Sequence, residues 1–193
     1  TAIDPATVER ALLADKGHKI KAVLVVHTET ATGVTSDIAA IGKAIAAAGH
    51  PALLVVDAIA SLMTVDLPMD EWGVDVVIAA SQKGLMMPPG MSFTAANKRA
   101  TDLSRDVVMP REYWSWASRL DMESYRRFCG TAPEHLMFGL RESIDMIFEE
   151  GMNAVFARHA RNAQAVREAV AVWCSDGPME FNAIIPEQRS NSI

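Results

Sequence analysis

Apolar runs and amphipathic stretches alternate along the first half of the chain. "KAVLVVHTE" is a continuous β-branched run and predicts a strand buried on both faces. "PALLVVDA" predicts a second buried strand, "VDVVIAAS" a third, and "MSFTAA" is a candidate fourth. "TSDIAAIGKAIAAAGH" keeps its apolar residues on one helical face, with Thr35 or Ser36 as the cap and Gly49 as the stop. Ahead of these, "DPATVERALLADKG" predicts a helix capped by Asp4, with Pro5 in its first turn. Apolar strands separated by helices are the pattern of a parallel α/β sheet.

The second half reads differently. "NKRATDLSRDVVMPREYWSWASRLDMESYRRFCG" is polar and aromatic without clean periodicity, and predicts a short helix and an irregular excursion. "TAPEHLMFGLRESIDMIFEEG" predicts a helix opened by a capping box of Thr131 and Glu134, with Pro133 in the first turn. "MNAVFARHARNAQAVREAVAVWCSDG" predicts a longer helix running from one domain to another, and "PMEFNAIIPEQRSNSI" the start of a small second domain. The chain opens without methionine on a helical segment and closes on "RSNSI" where a strand pattern starts. It therefore reads as a piece of something larger.

Composition narrows the function classes. Of 193 residues, 50% are hydrophobic and 22% charged, which is the make-up of a globular protein with one sizeable core. A formal charge of −6 argues against a nucleic-acid partner, which calls for a basic footprint. No apolar run reaches the length of a membrane-spanning helix, and no secretory signal opens the chain. Cys129 and Cys174 match no metal or redox spacing, and the five histidines show no ligand spacing, so no metal site is expected. A reducing, cytoplasmic setting is the default, with a peroxisomal or other organellar one also open.

In an open parallel sheet, ligands sit beyond the carboxyl ends of the strands. The first strand ends in His27-Thr28-Glu29-Thr30, the second in Asp57, the third in Ser81-Gln82-Lys83. Taken alone, Lys83 reads as a solvated charge, Asp57 as a cap for "AIASL", and Thr28, Thr30 and Thr32 as turn residues before Gly33. The company of Lys83 changes that weight, because Ala79, Ala80, Leu85, Met86 and Met87 flank it. A lysine in an apolar site becomes a nucleophilic amine that forms Schiff bases with carbonyls, that of pyridoxal phosphate included. A pyridoxal enzyme also needs a carboxylate at the pyridine nitrogen, and Asp57 stands one strand away.

"HTETATGV", "LLVVDAIASL", "DEWGVDVVIAASQKGLMMPPG" and "GTAPEHLMFGLRES" together resemble the class V aminotransferases of pyridoxal-phosphate fold type I, in particular the serine–glyoxylate and alanine–glyoxylate group. The resemblance implies a large cofactor-binding domain over 1–150, with a mostly parallel sheet flanked by helices and its N-terminal portion missing. It implies an inter-domain helix and the truncated start of a small α+β domain over 151–193. Lys83 would carry pyridoxal 5'-phosphate as a Schiff base, and Asp57 would pair with the pyridine nitrogen. Gln82 would hold the phosphate, Thr30 would reach the phenolic oxygen, and Ile59 would pack on the ring. Thr131 would contact the phosphate of the partner subunit's cofactor in a homodimer, or a higher oligomer, with shared active sites, and Arg189 would clamp the substrate carboxylate. Phe128 stands where several relatives carry a tyrosine that contacts the phosphate.

The implied reaction moves an amino group from a small L-amino acid, serine or alanine, to glyoxylate, a 2-oxo acid, giving glycine. Aspartate or another donor is an alternative. So are a lyase or desulfurase reaction, which Gln82 disfavours because such relatives carry histidine before the lysine, and a non-catalytic α/β binding module. A dinucleotide site fits poorly, since no G-x-G-x-x-G follows a predicted strand.

Overall fold

A computed structural model of the chain describes residues 1–120 and 127–192. The stretch 121–126, which the polar excursion predicted from the sequence includes, lies outside the described residues. Strands β1 (Ala22–Val26), β4 (Leu53–Asp57), β5 (Val76–Ala80) and β6 (Ser92–Ala96) form one sheet in the order β1-β4-β5-β6. β1, β4 and β5 run parallel, and β6 is antiparallel to β5. The α/β expectation of a mostly parallel sheet flanked by helices holds.

Helices α1 (Pro5–Ala14) and α2 (Ile38–Ala47) cover one face of the sheet. Leu12, Ile38, Ile41 and Ile45 pack there against Val25, Leu54, Val56 and Val77. Asp4 caps α1 as predicted, its carboxylate accepting from the Ala6 N–H. The α2 cap differs from the expected Thr35 or Ser36. It is Asp37, whose Oδ1 accepts from the Ala40 N–H at 2.8 Å. Thr35 is taken by a hairpin of β2 (Thr28–Glu29) with β3 (Val34–Thr35), and the Ser36 N–H donates to the His27 carbonyl. At Gly49, φ is 59°, so the predicted stop falls where only a left-handed backbone turns the chain.

The strands are not buried on both faces. Leu24 is 75% exposed, and Val26 and Ile78 are each 37% exposed. They lie on the face opposite α1 and α2, which the described residues leave partly open.

The described part of the irregular excursion contains α3 (Lys98–Arg105), a 3-10 turn (Glu112–Trp114) and the short α4 (Ala117–Leu120). Helix α5 (Glu134–Glu150) starts later than its predicted capping box requires. Its N-cap is Pro133, which offers no side-chain hydrogen bond, and Glu134 is its first residue. The cause is Pro133 itself: the residue before a proline is kept out of helical backbone, so Ala132 cannot join the helix and Thr131 falls outside it. Helix α6 (Met152–Asp176) follows after Gly151. The C-terminal segment folds back onto the β2–β3 hairpin, with the Ser190 N–H donating to the Gly33 carbonyl and Arg189 bridging Val34.

Candidate active site

The parallel strands bring their carboxyl ends to one edge. Register pairs Val26 with Asp57 and Asp57 with Ile78, so Asp57 ends the central strand between its two neighbours. Its half-buried carboxylate accepts through Oδ1 from the Ile59 N–H at 2.9 Å. Oδ2 has no hydrogen-bond partner among the described residues. No helix follows, only turns over 59–64, so Asp57 is not the helix cap that it resembles when taken alone. One oxygen fixes the carboxylate in a local turn and the other is uncommitted among the described residues. Ile59 is half-buried in the same turn.

Gln82 and Lys83 stand just beyond the end of β5, and both are exposed. Among the described residues Lys83 lacks the apolar surroundings expected for it: Leu85 and Met87 are buried, while Met86 is exposed. Neither Lys83 Nζ nor the Gln82 amide has a partner among the described residues. The turns bearing Asp57 and Lys83 touch through their backbones. A Cβ on Gly84 would lie 2.1 Å from the Leu62 carbonyl oxygen, so only a glycine lets the two approach this closely.

Thr30 sits in the turn between β2 and β3, beyond the end of β1, and is exposed. Glu29 builds that turn. Its carbonyl accepts from the Gly33 N–H at 2.9 Å and its Oε1 from the Ala31 N–H at 3.0 Å. The Asn182 amide reaches the Ala31 and Thr32 carbonyls, which joins the C-terminal segment to this turn. Arg189 arrives with that segment. Its Nε donates to the Ala183 carbonyl at 2.9 Å, and its guanidinium stacks 3.7 Å from the centre of the Phe181 ring. The other guanidinium nitrogens have no hydrogen-bond partner among the described residues.

Thr131 is exposed two residues before the α5 N-cap, and no hydrogen bond or ion pair ties it to the others among the described residues. So Asp57, Ile59, Gln82 and Lys83 gather at one edge, Thr30 and Arg189 share the neighbouring hairpin, and Thr131 stands apart. No group of three or more His, Cys, Asp or Glu is placed to hold a metal ion among the described residues.

One buried group near the edge is a histidine that shows no ligand spacing in the sequence. His27 is buried just beyond the end of β1, its backbone N–H donating to the Asp57 carbonyl at 2.9 Å. Its ring meets Trp72 edge-on, its Nδ1 has no partner among the described residues, and burial lowers its pKa to about 4.

Residues 3–173 match the family described as Aminotransferase class-V. The chain belongs to the class V aminotransferases. It is 45% identical over 192 residues to the serine–glyoxylate aminotransferase of Methylorubrum extorquens, covering 95% of this chain and 48% of that protein. It is 42% identical over 185 residues to the L-aspartate–glyoxylate aminotransferase of Paracoccus denitrificans, covering 96% of this chain and 46% of that one. The crystal structure of alanine–glyoxylate aminotransferase from Nostoc sp. superposes with a TM-score of 0.81 at 26% identity, over 99% of this chain and 49% of that one. This class V chain thus spans about half the length of the relatives it matches.

The donor set suits the cofactor that the family implies. A carboxylate with one free oxygen suits a cationic pyridine nitrogen, an unpartnered amine suits an aldehyde, the exposed Gln82 amide suits a phosphate, and the exposed Thr30 hydroxyl suits a phenolic oxygen. No helix among the described residues is long and apolar enough to cross a membrane.

Proposed function

We propose that the protein carrying this chain is a pyridoxal-phosphate-dependent aminotransferase that passes an amino group from a small L-amino acid, serine or alanine, to glyoxylate. The observation that carries the reading is the meeting of Asp57, with one uncommitted carboxylate oxygen, and the unpartnered Lys83 at one strand edge of a class V chain. Glyoxylate is the acceptor named for the Methylorubrum, Paracoccus and Nostoc proteins, while the named donors are serine, aspartate and alanine. Aspartate is accordingly the alternative donor.

Bound pyridoxal 5'-phosphate supplies an electron sink that makes the substrate Cα–H acidic. Asp57 Oδ2 would hold the pyridine nitrogen in its charged form, with Oδ1 fixed by the Ile59 N–H. Gln82 would donate to the phosphate and Thr30 to the phenolic oxygen, while Ile59 would supply apolar contact to the ring. Lys83 Nζ would hold the cofactor's aldehyde carbon, and the same amine would serve as the base that takes the proton from the substrate Cα and returns it on the other side of the transfer. Arg189 receives the substrate carboxylate on the edge of its guanidinium left open by Ala183 and Phe181.

In this reading residues 1–150 belong to the large domain and 151–193 to the inter-domain helix and the start of the small one. Thr131 meets the partner subunit's cofactor in a homodimer. The test is amino transfer in the whole protein with serine, alanine or aspartate as donor and glyoxylate as acceptor, read as glycine formed. It is paired with borohydride trapping of the cofactor and mapping of the labelled lysine. Label on Lys83 and glycine from serine or alanine are expected. Label elsewhere, or no transfer to glyoxylate from any of the three donors, overturns the reading.

A further inference from the structure

The loop bearing Lys83 is tied off at its base by one buried hydroxyl. Ser81 is 0% exposed. Its Oγ donates to the Pro88 carbonyl at 2.8 Å and accepts from the Met91 N–H at 3.3 Å. Its own N–H donates to the Met91 carbonyl at 3.1 Å, and its carbonyl accepts from the Met87 N–H at 3.2 Å. One residue thus gathers the far limb of the loop, at positions 87, 88 and 91, against the end of β5.

A second tie comes from another element. Ser143 of α5 is buried, and its Oγ donates to the Leu85 carbonyl. The Leu85 side chain packs with Ile147 and Val155, anchoring the same point to α5 and α6. Lys83 stands midway between these ties, two residues after Ser81 and two before Leu85. The Met86 N–H closes a turn on the Lys83 carbonyl at 2.8 Å, with Met86 at φ 56°.

A hydroxyl beside Gln82 could be taken for a phosphate ligand. The geometry excludes that role for Ser81, whose Oγ is wholly buried and already used as both donor and acceptor inside its own loop. We propose that Ser81 is a positioning residue for Lys83, with Ser143 as the second tie: together they fix the backbone that carries the exposed amine beside the turn following Asp57. This rests on the reading of Lys83 as the cofactor lysine. A flexible four-carbon stem delivers its nitrogen reproducibly only from a fixed base, and small misplacements of a reacting group are costly in rate.

The experiment uses the whole protein with pyridoxal 5'-phosphate. Two properties are read: the fraction of borohydride label on Lys83 against all other lysines of the protein, and the pH midpoint of the bound cofactor's absorbance band. In Ser81→Ala, Lys83 labelling should fall about fivefold and the midpoint should shift by about half a unit or more, the size of one lost hydrogen bond. Ser143→Ala should move both the same way by less. Ile45→Val, a core change remote from the loop, should lower the melting temperature and leave both unmoved. If Ser81→Ala does not fold, Ser143→Ala carries the test, since it leaves the base of the loop intact. Unchanged labelling and midpoint in the serine variants, or equal changes in Ile45→Val, overturn the proposal and make these ordinary folding residues. If wild-type label falls on a lysine other than Lys83, the reading of Lys83 fails first, and this proposal with it.

Discussion

Two aspartates mark the two ends of the same strands. Asp75 sits at the amino end, just before β5, and is buried. Every part of its carboxylate is used. Oδ2 accepts from the Leu54 N–H at 2.8 Å, Oδ1 from the Asn97 amide at 2.9 Å, and Arg99 Nη1 reaches both oxygens at 2.9 and 3.1 Å. Arg99 then continues to the Pro51 and Ala52 carbonyls. Asp57 sits at the carboxyl end with one hydrogen bond and one oxygen to spare. The first arrangement is a closed polar network, in which a buried charge is tolerated because it is fully paired. The second leaves a partner to be supplied from outside. The contrast separates a carboxylate that holds the sheet together from one available for chemistry.

The largest effect expected from breaking this contrast is at Lys83. Lys83→Ala should lower transamination in the whole protein by about a thousandfold or more. The melting temperature should stay within about a degree or two, because an exposed, unpartnered side chain contributes little to stability. Steady-state glycine formation beside a thermal melt checks both. Near-wild-type turnover would remove Lys83 from the site.

The two aspartates should respond in opposite ways. Asp75→Ala leaves the Leu54 N–H and the Asn97 amide without their acceptor and Arg99 without its counter-charge. Unfolding free energy should drop by about 3 kcal/mol, held at the lower end of the range for broken buried pairs because Arg99 is partly exposed. Asp57→Asn keeps the shape of the Ile59 turn and should cost under about 1 kcal/mol of stability. It should slow Cα proton removal in a single-turnover half-reaction by at least tenfold, from loss of a charge-assisted bond of about 1.5–3 kcal/mol. Denaturant curves and stopped-flow absorbance test the pair. Equal loss of stability in both variants would erase the distinction.

Only one side of this contrast was legible in the sequence. Asp57, Gln82 and Lys83 follow apolar strands directly, and parallel strands bring such ends to one edge, so spacing and the family motif together point to them. The Asp75 network joins residues from positions 51 to 99, which meet only once the sheet has formed. Nothing in the local pattern of "GVDVVIAAS" separates its aspartate from a surface one. Ser81 could be seen at the strand end, but its bonds to Pro88 and Met91 depend on how the loop returns. The expected burial of Leu24 and Ile78 failed for a related reason: a β-branched run reports a capacity for burial, and whether anything covers a face is decided by other segments.

His27 sharpens the picture from the buried side of the same edge. Burial holds its pKa near 4, below the ordinary value of 6.5. The folded form therefore resists a proton that the unfolded chain accepts. The sign follows: the neutral ring's contribution is fully present above about pH 6.5 and is lost as pH falls toward 4, by up to about 3 kcal/mol for a shift of this size. His27→Leu keeps an apolar side chain in the pocket and should flatten that part of the stability–pH curve. Urea midpoints at pH 7, 5.5 and 4.5 in both forms measure it. The same slope in wild type and variant would assign the acid sensitivity to other groups.

The smallest effect is expected at Thr131. A side-chain cap is worth about 1 kcal/mol where it exists. Here Pro133 occupies the cap position, no side chain caps α5, and Thr131 is exposed beyond Gly130, whose φ is 157°. Thr131→Ala should therefore change stability by less than about 0.5 kcal/mol. A hydroxyl with no hydrogen bond among the described residues is available to a neighbour. If it serves the phosphate of the partner subunit's cofactor, Thr131→Ala will weaken retention of pyridoxal 5'-phosphate about fivefold, by one hydrogen bond, while the melting temperature of the cofactor-free protein stays put. Thr131→Ser, which keeps the hydroxyl, should restore retention. Equilibrium dialysis of the cofactor, run beside thermal melts of the cofactor-free variants, separates the roles. A melting temperature lowered by a full cap's worth would return Thr131 to α5, and unchanged retention in Thr131→Ala would leave the shared site without its hydroxyl.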